Sequence, residues 1–248
     1  MSKIFPSMHS KPEKGTFFAL IPYCILSFIV IPTNLPLLGA GLWDDPTLGP
    51  WLEIGYHAVN TLLVIFLSKS YLKEEWFMVS TDFKFYLKHA ALTVGLILGT
   101  EFLTLSFLAM CGVNISNMLQ GLPLVDMTIN HTPMSLLYHK PLFGTLTMVL
   151  LVPLSVTVLF YCFSFSPLAY KRPWLGYLSI LVVTAIPPVV DIIWRGEAAL
   201  TLSMYFVQLP IHLLACWSYQ KTDNVWTPIG ALMGTNLVLS AVVMVMIL

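Results

Sequence analysis

Residues 226–247 read WTPIGALMGTNLVLSAVVMVMI, a run without a single Asp, Glu, Lys, Arg or His. A helix of roughly 20 such residues crosses about 30 Å of hydrocarbon, and the run lacks the alternation of a barrel strand. Working outward, comparable apolar runs lie near residues 17–38, 51–68, 88–110, 142–162, 174–190 and 198–218. The whole chain of 248 residues is 57% hydrophobic and 10% charged, with a mean hydropathy of +0.82. That leaves too few polar side chains to cover a water-soluble globule, so its solvent is lipid. Backbone groups in lipid must be satisfied internally, which selects helices here. The expected architecture is an all-α, polytopic membrane helical bundle of about seven transmembrane helices. It forms a single integral domain over residues 1–248, with the lipid bilayer as a partner.

Charge gives the orientation. Ten of the twelve Lys and Arg fall in the N-terminal tail and in the second-to-third, fourth-to-fifth and sixth-to-seventh connections; only Lys140 and Arg195 fall on the opposite set. Seven spans with the N-terminus inside fit the positive-inside rule, and an even number would spoil the sorting. Zero net charge with thinly spread cations argues against a nucleic-acid partner. The first span carries Pro22, Pro32 and Pro36 behind a 16-residue tail and reads as a retained helix, not a cleaved signal. The short tail and the lack of trafficking signals point to a bacterial plasma membrane with the N-terminus cytoplasmic. Cys24, Cys111, Cys162 and Cys216 show no CxxC spacing and read as buried free thiols.

Two connections read as interfacial. The segment from Cys111 to Pro141 mixes Asn and Asp with Met118, Leu119 and Val125, as an outside loop with a short amphipathic helix does. The Lys69 to Lys88 segment interleaves Trp76, Phe77, Phe83, Phe85 and Tyr86 with lysines, as a stretch resting on an anionic inner leaflet does. Within it, Glu74-Glu75 reads as a solvated face. Trp51, Trp174 and Trp226 each open a span as interfacial anchors.

Ionisable groups inside a membrane are costly and should face protein or water with a partner. Glu53, His57 and Asn60 lie at i, i+4 and i+7 and share one helical face. This face suits either a proton or ion relay or a hydrogen-bonded pair reaching water at the boundary. Glu101 is the deepest acid, beside Thr100 and Thr104; it is either protonated in a dry site or met by a distant partner such as His57 or His212. Asp191 and Arg195 pair at i, i+4 if the helix continues past Pro187-Pro188, and His212 reads as a hydrogen-bonded core histidine. No HExxH, Walker loop, plausible GxSxG or close pair of acids falls in any span, and no cofactor or metal is implied.

The region from residue 150 to 236 resembles the CPBP family of intramembrane endopeptidases, which includes the type II CAAX prenyl protease and abortive-infection and bacteriocin-immunity proteins. Pro153 to Cys162 lines up with the family pattern P-x-x-E-E-x-x-F-R-G, keeping Pro153 and Phe160. Tyr219 to Ile229 is similar to the turn Y-x-x-T-G-S-x-W-x-P-I, and Ala231 to Asn236 stands in the place of A-H-x-x-x-N. The resemblance places Val156 and Thr157 where the family has its two glutamates, Tyr161 at its arginine and Leu232 at its final histidine; Asn236 is retained. The intermediate F-x-x-x-H motif finds no histidine near Val190 or Asp191. Peptide hydrolysis needs an activated water and oxyanion donors, which valine, threonine and leucine cannot supply. The resemblance therefore implies a non-catalytic member that binds another membrane protein or a peptide, as a membrane subunit, scaffold or immunity-type protein. A peptidase with a relocated site of Glu101, His57, Asp191 and His212 is the alternative, and a transporter using Glu53, His57 and Glu101 is a second.

Overall fold

The computed structural model describes residues 47–113, 140–170, 172–195 and 198–247. The first expected span, Cys24 and the amphipathic segment after Val113 lie outside the described residues. So do Lys171 and Glu197 and the side chains of Glu53, Val190, Asp191 and Arg195. Every regular element among the described residues is helical: α1 (Gly49–Thr81), α2 (Phe83–Met110), α3 (Pro141–Ala169), α4 (Pro173–Arg195), α5 (Ala198–Thr222) and α6 (Trp226–Ile247). By length and composition α1, α2 and α3 can each cross a membrane, and shorter apolar stretches occupy Pro173–Ile186 and Trp226–Val242. The outer surface agrees with lipid as solvent, because Phe66 and Phe102 stand 72% and 71% exposed and many large apolar side chains share that fate. An integral membrane protein follows at this coarse level.

The segment from Lys69 to Lys88, read as interfacial, is helical on both sides of Asp82. α1 runs about 50 Å through Lys69 and Lys73 to Thr81 and overshoots the hydrocarbon by several turns. Asp82 alone separates it from α2, ending one helix and accepting from the Phe85 amide with its side chain at the start of the next. The aromatic residues Trp76, Phe77 and Phe83 remain exposed there.

Helix α3 contains two π-helical segments, Thr147–Leu151 and Thr157–Phe165. Each closes on an i→i−5 bond, Val152 to Thr147 and Ser166 to Tyr161, and each stops one residue short of a proline-bearing turn, at Pro153 and Pro167. Proline removes a helical donor and collides with the carbonyl four residues back, so a wider turn relieves the clash. Carbonyls along this irregular helix also accept from side chains. Met148 O accepts from Asn236 Nδ2 at 2.8 Å, Leu151 O from Thr61 Oγ1 at 2.9 Å and Ser155 Oγ at 3.0 Å, and Ser164 O from Ser179 Oγ at 3.0 Å. Pro187-Pro188 and Pro210 are carried within continuous helices.

Side-chain pairs fix the two ends of the bundle. At one end Trp51 of α1 meets Phe143 of α3, with Lys140 over the indole at 5.1 Å. At the other, Trp76 of α1 meets Trp226 of α6 and Tyr177 of α4 meets Gln220 of α5. α2 packs mainly on α5 and α6, and α4 lies between α5 and the end of α3. Small residues permit the close approaches: a Cβ on Gly176 would sit 2.6 Å from that of Ala169, and one on Gly234 would lie 2.9 Å from Val94.

Candidate functional site

The positions that the resemblance aligns with the family's catalytic residues are core residues. Val156, Thr157 and Tyr161 lie across the start of the second π segment of α3, and Leu232 and Asn236 lie one turn apart on α6. None is more than 5% exposed, and Val156, Tyr161 and Leu232 belong to one contiguous apolar core with Ile211, Ala215 and Ile229. Tyr161 hydroxyl and His212 Nδ1 are 2.9 Å apart, and the His212 ring also lies against Phe160, with centroids 5.4 Å apart. The structure thus joins Tyr161 to a histidine that the resemblance did not include. Asn236 spends its amide on Met148 O, in support of the π segment.

Several polar atoms in this core lack a hydrogen-bond partner among the described residues: Thr157 Oγ1, His212 Nε2, Asn236 Oδ1 and Thr235 Oγ1. The other candidates lie on separate helices. His57 and Asn60 are buried along the inward face of α1. Glu101 is buried on α2 without a partner for Oε2 among the described residues, and Thr100 and Thr104 bond to their own helix instead of to it. α4 does continue past Pro187-Pro188, but the Asp191 and Arg195 side chains lie outside the described residues. No group of three His, Cys, Asp or Glu side chains suited to a metal occurs among the described residues.

A second polar cluster sits at the Trp76 end, and the sequence reading misplaced it. Glu74 is exposed, but Glu75 is 2% exposed and turned inward. Its Oε2 accepts from the Val225 amide at 3.2 Å, and its carbonyl accepts from Asn224 Nδ2 at 2.8 Å. Asn224 Oδ1 accepts from the Trp226 amide, an Asx turn that starts α6, while Trp226 Nε1 donates to Leu72 O at 3.0 Å. Deeper in, Tyr71 and Tyr219 hydroxyls are 2.6 Å apart and the Cys162 thiol donates to Tyr71. Trp226 is therefore a structural clamp as well as a boundary residue. A signal for Glu75 was present: Val64, Ser68, Leu72, Glu75 and Val79 recur at helical spacing and form the buried stripe of α1. The cysteines divide, with Cys162 and Cys216 buried but Cys111 exposed at the end of α2.

No protein-family model, curated protein or solved structure matches the chain.

Proposed function

We propose that this chain is a non-catalytic, CPBP-like integral membrane protein that acts by binding another membrane protein or a peptide. In this reading it has about seven spans and sits in a bacterial plasma membrane with its N-terminus cytoplasmic. The observation that carries the reading is the state of the former site. By the resemblance Val156, Thr157 and Leu232 stand where water-activating groups would be and Tyr161 where an arginine would be; all are buried, and the tyrosine hydroxyl is engaged by His212. A carboxylate or imidazole base held against a water is the requirement for hydrolysis, and these side chains provide neither carboxylate nor imidazole.

The geometry of the turn before α6 is compatible with the resemblance. Asp223 adopts a positive φ of 50° where the family pattern has glycine, a conformation that glycine takes freely and Asp or Asn tolerates. Asn224 makes its capping bond where the pattern has serine, and the retained Trp226 and Tyr219 are both anchored by hydrogen bonds.

The test is hydrolysis of a peptide library by protein purified in detergent or nanodiscs. No turnover is expected from the wild type. Turnover that disappears in Glu101→Gln or His212→Ala would establish a relocated catalytic site and end the proposal.

A further inference from the structure

Between the charged end of α1, the first turn of α6 and Leu154 of α3 runs a groove of about 440 Å³. That lies within the roughly 300–1,000 Å³ of ligand sites. Its walls are Leu72, Leu154 and the indoles of Trp76 and Trp226; Lys69 and Lys73, one turn apart on α1, also line it. Trp226 Nε1 is committed to Leu72 O and its ring is held edgewise 5.1 Å from Trp76, which gives the groove a fixed aromatic wall. Both lysines are exposed and have no hydrogen bond or ion pair among the described residues. The neighbouring acids do not neutralise them, since Glu75 is turned into the core onto Val225 and Glu74 makes no ion pair among the described residues. Toward the middle of α1 the groove continues over Ile65, beside the exposed Leu62 and Phe66.

Two cations beside an apolar furrow match an amphiphile with an anionic head. A soluble anion would leave the indole and leucine walls unused, and an apolar helix would leave two ammonium groups without counter-charge. We propose that this groove binds an anionic phospholipid, with Lys69 and Lys73 holding the headgroup phosphate and an acyl chain lying along Leu154, Trp226 and Ile65. Basic pockets between membrane helices at a membrane surface recognise anionic headgroups in this way, and lysine stems are long enough to reach the phosphate while lining the furrow. The proposal rests on the membrane character of the bundle and not on the CPBP resemblance.

Native mass spectrometry of the purified protein with phosphatidylglycerol or phosphatidylcholine of identical acyl chains tests it. The wild type should retain phosphatidylglycerol in preference. The double substitution Lys69→Gln/Lys73→Gln should weaken that binding roughly 30-fold, from about 1 kcal/mol for each surface cation. Lys84→Gln/Lys88→Gln removes equal charge outside the groove and should leave the preference intact. Leu154→Trp should weaken both lipids. Inorganic phosphate should not displace bound phosphatidylglycerol. Equal retention of the two lipids, equal loss in the two double variants, or displacement by inorganic phosphate would each overturn the lipid site, the last in favour of a free-anion site.

Discussion

Tyr161 and His212 illustrate what a buried polar pair demands. Their hydrogen bond is the described contact that satisfies either ring, and His212 Nε2 already lacks a partner among the described residues. Tyr161→Phe should therefore destabilise the protein by about 1–3 kcal/mol, the cost of stranding a buried acceptor or donor. Tyr161→Phe/His212→Phe removes both partners and should cost less than the sum of the single changes, with a coupling of about 1 kcal/mol. Thermal unfolding in one detergent checks this, and strict additivity would show that the contact is energetically empty. Asn224 joins α1 to α6 through Glu75 O and the Trp226 amide. Asn224→Ala should lower stability by about 2 kcal/mol, from one lost cap and one lost buried bond. A midpoint unchanged from wild type would remove Asn224 from this role.

At the scale of elements, α3 depends on its neighbours for backbone satisfaction. Met148 O receives a described side-chain donor only from Asn236, whereas Leu151 O has both Thr61 and Ser155. Asn236→Leu should thus cost about 1–3 kcal/mol, and Thr61→Val clearly less, because one leaves a carbonyl stranded in an apolar core and the other does not. Equal effects in a denaturant or thermal series would contradict this account. The prolines that cause the wide turns were plain in the sequence, but a proline pattern does not say whether a helix kinks, breaks or widens. The donors on α1, α4 and α6 decide that, and they come from helices up to 90 residues away.

For the whole molecule, the side-chain pairs place Asp82, Arg172 and Asp223 at one end of the bundle and Lys140 at the other. In a background lacking the native cysteines, Lys84→Cys, Arg172→Cys and Lys221→Cys should resist a membrane-impermeant maleimide in intact cells, while Lys140→Cys should react. Reaction of all four from one side would refute the orientation. The sequence by itself determined the helical class and where the described helices after about residue 140 begin, though three of them run on past the expected ends, because lipid allows few backbone solutions and long apolar runs have one local reading. Periodicity along a single helix could also have placed Glu75 inside, in phase with Leu72 and Val79. Only the tertiary structure decided that Glu75 grips the α5–α6 turn, that Tyr161 meets His212, and that Lys69 and Lys73 overlook a groove walled by Leu154 and Trp226. Those juxtapositions join residues 51 to 157 positions apart, and at such distances the composition of either segment carries no information about what the other presents to it.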